Sequence, residues 1–185
     1  LSIYNFPLKM TLISILNTMM SFPPVVVGLI VYLHISSSGP FGWLGILYTP
    51  TAMIIAQIIL IVPIISSLSY QFLENLNEEY KELFFSLSVP KHKAVLAYLF
   101  DARYSLSTVV LAGLGRAMSE VGAVIIVGGN IDHLTRIMTT AIALETSKGN
   151  LSLALALGIV LLLFSLIINI SATYIKNISQ KNSYE

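Results

Sequence analysis

LSLALALGIVLLLFSLIINISATY, residues Leu151–Tyr174, decides the class of fold. Not one of its residues carries a charge. A helix rises 1.5 Å per residue, so about 20 apolar residues cross the ~30 Å hydrocarbon core of a bilayer. This stretch is long enough to do so. Three more lie upstream, at about Thr11–Ile35, Leu44–Tyr70 and Tyr104–Gly128.

The composition of the whole chain agrees. Its 185 residues are 56% hydrophobic and 10% charged, with a mean hydropathy of +0.84. A soluble domain carries about 25% charged residues. A net charge of +1 gives no basic surface for nucleic acid. There is no cysteine, so disulfides and thiolate metal sites are excluded. The sequence opens on Leu1 without a recognisable signal peptide, which raises the expectation of a further helix upstream. Within the first stretch stand Pro23 and Pro24, and within the second Pro63. Proline removes a backbone donor, so kinks are expected there.

Lysine and arginine set the orientation of membrane helices. With four spans, Lys9, Lys81, Lys91, Lys93, Arg103, Lys176 and Lys181 fall on one side, and Arg136 and Lys148 on the other. That asymmetry predicts cytoplasmic termini, a cytoplasmic connection over Gln71–Arg103, and outer loops at Ser36–Trp43 and Gly129–Asn150.

The cytoplasmic connection is too polar to span. Glu74–Leu87 has helix-forming residues, with Glu78 and Glu82 one turn apart. Pro90 breaks that helix and suits the first turn of another, capped near Ser88 or Val89 and running through Ala94–Phe100. The expectation is a helical elbow with Lys91, His92 and Lys93 at its tip, or else a plain solvated connector.

Arg116 and Glu120 fall inside the third stretch, where each charge costs about 2.5–3.5 kcal/mol on insertion scales. They stand i, i+4 on one helical stripe with Gly113 and Ala123. Beside them runs a small-residue stripe of Ala112, Gly115, Ser119 and Gly122, suited to close helix approach. Three readings stay open: a structural ion pair, a polar pathway or gate including Ser119, and a proton relay. In the outer loop, Leu134, Ile137, Met138, Ala141 and Ile142 recur at helical spacing around Arg136, Thr139 and Thr140. This predicts an amphipathic segment that lies at the membrane surface or dips into the vestibule, either as an interfacial packing helix or as a contact for a binding protein or, through Arg136, for an anion. His34, His92 and His133 are too dispersed for a metal site, and Trp43 and Tyr48 fit an interfacial aromatic belt.

Several motifs together resemble one family. Glu82-Leu83-Phe84, three residues, then Ser88 is similar to the elbow of binding-protein-dependent ABC permeases, whose pattern is Glu-Ala-Ala, three residues, Gly. The glutamate matches; the alanines and the glycine do not. Phe22-Pro23-Pro24-Val25-Val26-Val27-Gly28 and Gly39-Pro40-Phe41-Gly42-Trp43 resemble the Pro-Pro helix and following turn of molybdate and tungstate permeases. Gly115-Arg116-Ala117-Met118-Ser119-Glu120-Val121-Gly122-Ala123 with Gly128-Gly129-Asn130-Ile131 is the most specific match. With Thr135–Ile142 and Glu145-Thr146, it is closest to the tungstate branch.

The resemblance implies an all-α, MetI-like transmembrane bundle acting as a homodimer in the cell (inner) membrane of a bacterium or archaeon. It implies ABC ATPase subunits gripping the elbow at Glu82, Ser88, Pro90, Lys91, His92 and Lys93, and a periplasmic or lipid-anchored oxyanion-binding protein outside. The chain itself has no phosphate-binding Gly-rich loop, so no catalytic residue and no cofactor are expected. Molybdate or sulfate is the alternative cargo. A secondary transporter or channel fragment would need no elbow, and a purely structural subunit would leave Arg116 and Glu120 unexplained.

Overall fold

The computed structural model describes residues 7–181, with the side chains of Lys91 and of residues 175–181 outside that description. The charges counted at Lys176 and Lys181, and the chain start at Leu1, therefore lie outside the described residues or atoms. Seven α-helices are present among the described residues: α1 (Lys9–Met20), α2 (Pro24–Ile35), α3 (Pro50–Ser86), α4 (Lys91–Ser119), α5 (Gly122–Gly128), α6 (Met138–Ser147) and α7 (Leu151–Lys181).

Each expected span changes in a way the local chemistry explains. The first is not one helix: α1 and α2 meet at a 102° bend. Pro23 is extended at the α2 N-cap, and Pro24 opens the helix where its missing N–H has no partner to lose. The second begins at Pro50, six residues later than expected, because Gly42–Leu44 forms a separate 3-10 turn. It then continues without a break through buried Pro63 to Ser86. The expected elbow helix over Glu74–Leu87 is the end of this 37-residue helix. Likewise the second elbow helix and the third span are one 29-residue helix, α4. The third span does not reach Gly128. It stops at Ser119 and resumes as α5. The fourth, α7, is longer than expected and runs on to Lys181.

Three of these helices, α3, α4 and α7, are long and apolar enough to cross a membrane, and the bent α1–α2 pair can serve as a fourth crossing. The contacts of that pair support a crossing. Lys9 Nζ lies 3.5 Å from Glu74 Oε1 near the elbow end of α3, and the Ser67 hydroxyl donates to Asn17 Oδ1 further along. Beyond the bend, α2 lies on α5, and the chain then returns to the opposite end of α3 at Pro50. The bent pair thus joins the same two ends that α3 joins.

The core is the junction of α2, α3 and α5: Val27, Val31, Ala52, Met53, Ala56, Leu60, Ala123, Val124 and Val127. Lipid tails are as apolar as these side chains, so close packing must hold the helices together. The residues allow it. A Cβ on Gly28 would stand 2.7 Å from Ala123 Cα, so only glycine lets these two backbones touch. Most of α7 is exposed, including Leu155, Leu162, Phe164 and Ile167.

Candidate functional site

Two regions combine polar groups with an unusual backbone. The first is the break between α4 and α5. Glu120 is extended at the α4 C-cap, so its side chain is not a mid-helix charge as the sequence suggested. Its Oε1 accepts the Ala123 N–H at 3.1 Å, in the manner of a helix N-cap. Its Oε2 lies 3.4 Å from Arg116 Nη2. The Glu120 side chain is 5% exposed and that of Arg116 39%. One carboxylate therefore stops one helix, caps the next and holds an arginine that reaches outward.

Neighbouring elements fasten the break. The Thr139 hydroxyl donates to Glu120 O at 3.1 Å from the start of α6. Gln57 Nε2 on α3 donates to Ala117 O at 3.4 Å. The expected amphipathic helix across Leu134–Ile142 is shorter at its start, because Ile131–Thr135 is a turn built on the Thr135 hydroxyl. That hydroxyl donates to Gly128 O at 2.6 Å and accepts from the Ile131 N–H. From this turn the chain dips back to the level of Glu120 before α6 begins. Thr139 and Thr140 are consequently buried, and the Thr140 hydroxyl caps α6 through Ile137. Arg136 stays with the turn, 2.7 Å from Asp132.

Between α3, α4, α6 and α7 this leaves a cleft of about 330 Å³, whose polar side chains are Gln57 and Thr139. Ser119, expected in a pathway, is exposed, with its hydroxyl bonded to Arg116 O. The small-residue stripe is only partly used for packing. Nothing lies within 4 Å of a Cβ at Gly115, whereas Gly113 on the charged stripe meets Ile65 at 2.8 Å. Gln57 was not singled out from sequence. The available signal was a lone amide in the apolar run Ala52–Ile65.

The second region is the elbow. The turn from α3 to α4 occupies only Leu87–Pro90, and Pro90 is itself the extended N-cap rather than a first-turn residue. Ser88 adopts φ 50°, the left-handed region that favours glycine. Glycine would take this backbone without steric cost. Tyr80, Phe84 and Tyr98 pack ring to ring across the hairpin, at 5.3–6.3 Å between centroids. Tyr80 also donates to Asp101 at 3.0 Å, and Tyr98 to Asn77 at 3.3 Å. Glu82, His92 and Lys93 are exposed around the tip, beside exposed Phe85, Leu87 and Leu96. Lys91 opens α4, its side chain outside the description. His34 and His133 are exposed and apart, and no group of three metal-ligating side chains occurs among the described residues.

Residues 2–177 match the family described as binding-protein-dependent transport system inner membrane component. The chain is 43% identical over 166 residues to the tungstate uptake system permease protein of Campylobacter jejuni, covering 90% of this chain and 70% of that one. It is 42% identical over 167 residues to the protein of the same description from Peptoclostridium acidaminophilum, covering 90% and 73%. The sulfate transport system permease protein of Escherichia coli is a more distant relative, 26% identical over 175 residues, covering 89% and 62%.

Proposed function

The chain belongs to the binding-protein-dependent transport system inner membrane component family, and from that premise we propose that it is the membrane-spanning subunit of an ATP-driven importer of an oxyanion, tungstate in particular. The observation that carries this reading is the 42–43% identity to tungstate uptake permeases along 90% of the chain, against 26% to a sulfate permease. In this reading ATP is hydrolysed by partner subunits, a binding protein delivers the anion from outside, and two copies of the chain enclose the pathway. The largely exposed α7 and the unpacked face at Gly115 are surfaces that a second copy or lipid would cover.

The two regions fit one machine. The elbow tip and the α4–α5 break belong to the same two helices. At 1.5 Å per residue, the 37 residues of α3 extend about 55 Å. A continuous helix transmits a push at one end to the other. ATPase subunits docking at Glu82, Ser88, Pro90, Lys91, His92 and Lys93 would therefore tilt the walls that carry Gln57 and Arg116. Glu120 and Thr139 hold the break together, Arg116 and Ser119 are the accessible polar groups beside it, and Arg136 and Thr140 belong to the outer cover. The orientation follows the lysine and arginine asymmetry, with the elbow in the cytoplasm.

The test is recovery of the partners. The tagged chain should co-purify an ABC ATPase, and Glu82→Lys should lose most of it while inserting normally. A chain that retains no ATPase in its wild-type form would contradict the reading.

A further inference from the structure

The geometry points to Gln57 as the side chain that meets the anion inside the membrane, a role that rests on the transport reading above. Gln57 borders two spaces at once. One is the 330 Å³ cleft it shares with Met118, Met138, Thr139 and Leu161. The other is the small gap that holds Arg116 and Glu120. It therefore stands between the cleft and the ion pair.

The chemistry of that position suits passage of an anion. An amide offers two N–H donors and carries no net charge. One donor makes a long bond, 3.4 Å, to Ala117 O at the frayed end of α4. That leaves the other donor for a ligand in the cleft. Arg116, the cation in the adjoining gap, is matched by Glu120 at 3.4 Å. An anion in the cleft thus finds hydrogen-bond donors without an uncompensated positive charge. Conduction requires sites that favour entry and still release the ion. A free arginine would hold a dianion, whereas a neutral amide backed by a paired arginine lets it go. A lone amide in the apolar run Ala52–Ile65 is also costly if it faces lipid, and here it is half-buried and borders the cleft.

Reconstituted full transporter, with its ATPase and binding protein, provides the test. Gln57→Glu and Gln57→Leu are compared with wild type for tungstate uptake, ATP hydrolysis stimulated by the loaded binding protein, and thermal stability. Both substitutions remove the donor bond to Ala117 O, and Gln57→Glu also sets a carboxylate in the gap that holds Glu120, so a purely packing role predicts that uptake falls only in step with the loss of folded complex in each variant. An anion contact predicts a charge-specific effect. Per folded complex, Gln57→Glu loses at least tenfold more uptake than Gln57→Leu, while stimulated ATP hydrolysis per complex stays within twofold of wild type. Equal uptake in the two variants overturns the assignment of Gln57 and leaves the transport reading intact. Wild-type complex that moves no oxyanion overturns both.

Discussion

Replacing Glu120 separates its two structural roles. Glu120→Gln keeps an oxygen in place to accept the Ala123 N–H but gives up the charge facing Arg116. Glu120→Ala removes both. Ala123 is fully buried, so its N–H would lose its partner in a place water does not reach. An orphaned buried donor costs about 1–3 kcal/mol, and loss of a helix cap about 0.5–2 kcal/mol. These describe the same lost bond, so about 2 kcal/mol is expected for Glu120→Ala. At roughly 2–4 °C per kcal/mol for a chain of this size, the melting temperature should fall by about 4–8 °C. Arg116→Gln leaves the 5%-exposed carboxylate without its cation. Breaking a fully buried pair costs about 3–5 kcal/mol. The 39% exposure of Arg116 reduces that here to about 2 kcal/mol. Glu120→Gln and the double variant Arg116→Gln/Glu120→Gln should lie within about 1 kcal/mol of wild type, since neither strands a buried charge. Thermal unfolding of the purified chain in one detergent, followed by loss of the monodisperse peak, reads all four. Glu120→Ala melting with Glu120→Gln would refute the cap. A double variant less stable than Arg116→Gln alone would refute the pair.

Three further outcomes are expected. Ser88→Gly should raise stability by about 1 kcal/mol, because glycine adopts φ 50° without steric cost, and Ser88→Val should lower it; denaturation of the two variants side by side checks the sign. Gly28→Ala should sharply reduce folded protein, since the new methyl meets the Ala123 backbone, while Gly115→Ala should be tolerated in the single chain and gain up to about 1 kcal/mol of helix propensity; comparable losses at both positions would refute the close approach of α2 and α5. Single cysteines at Lys93 and Asn150 should react with an impermeant reagent from opposite faces of sealed cells, Asn150 from outside, and labelling of both from outside would reverse the orientation.

The apolar stretches were legible because a bilayer demands length and apolarity, and both can be counted along the chain. The bend at Pro23-Pro24 was legible for the same reason that proline always is. The break at Glu120 was not. Ala117-Met118-Ser119-Glu120 reads as good helix, and the break there is held by side-chain bonds from Glu120 to the Ala123 N–H and from Thr139 and Gln57 to carbonyls at the break. Periodicity therefore carried the third span nine residues too far, from Ser119 to Gly128, and put the ion pair in mid-helix. The left-handed backbone at Ser88 was not legible either, because it is a property of the turn and not of serine. For Thr139 and Thr140 the spacing left two placements open, at the membrane surface or dipping inward. The inward dip before α6 buries them, and that dip follows from Thr135 bonding back to Gly128, a contact across a loop that spacing alone does not encode.

The central claim is that this chain carries an oxyanion across a membrane under ATP control. The most direct measurement is accumulation of tungstate, molybdate and sulfate in proteoliposomes containing the chain and its ATPase, with binding protein outside. ATP-dependent tungstate uptake is expected, with sulfate uptake at least tenfold lower. Uptake that proceeds equally without ATP, or an interior that gains no oxyanion at all, would contradict it.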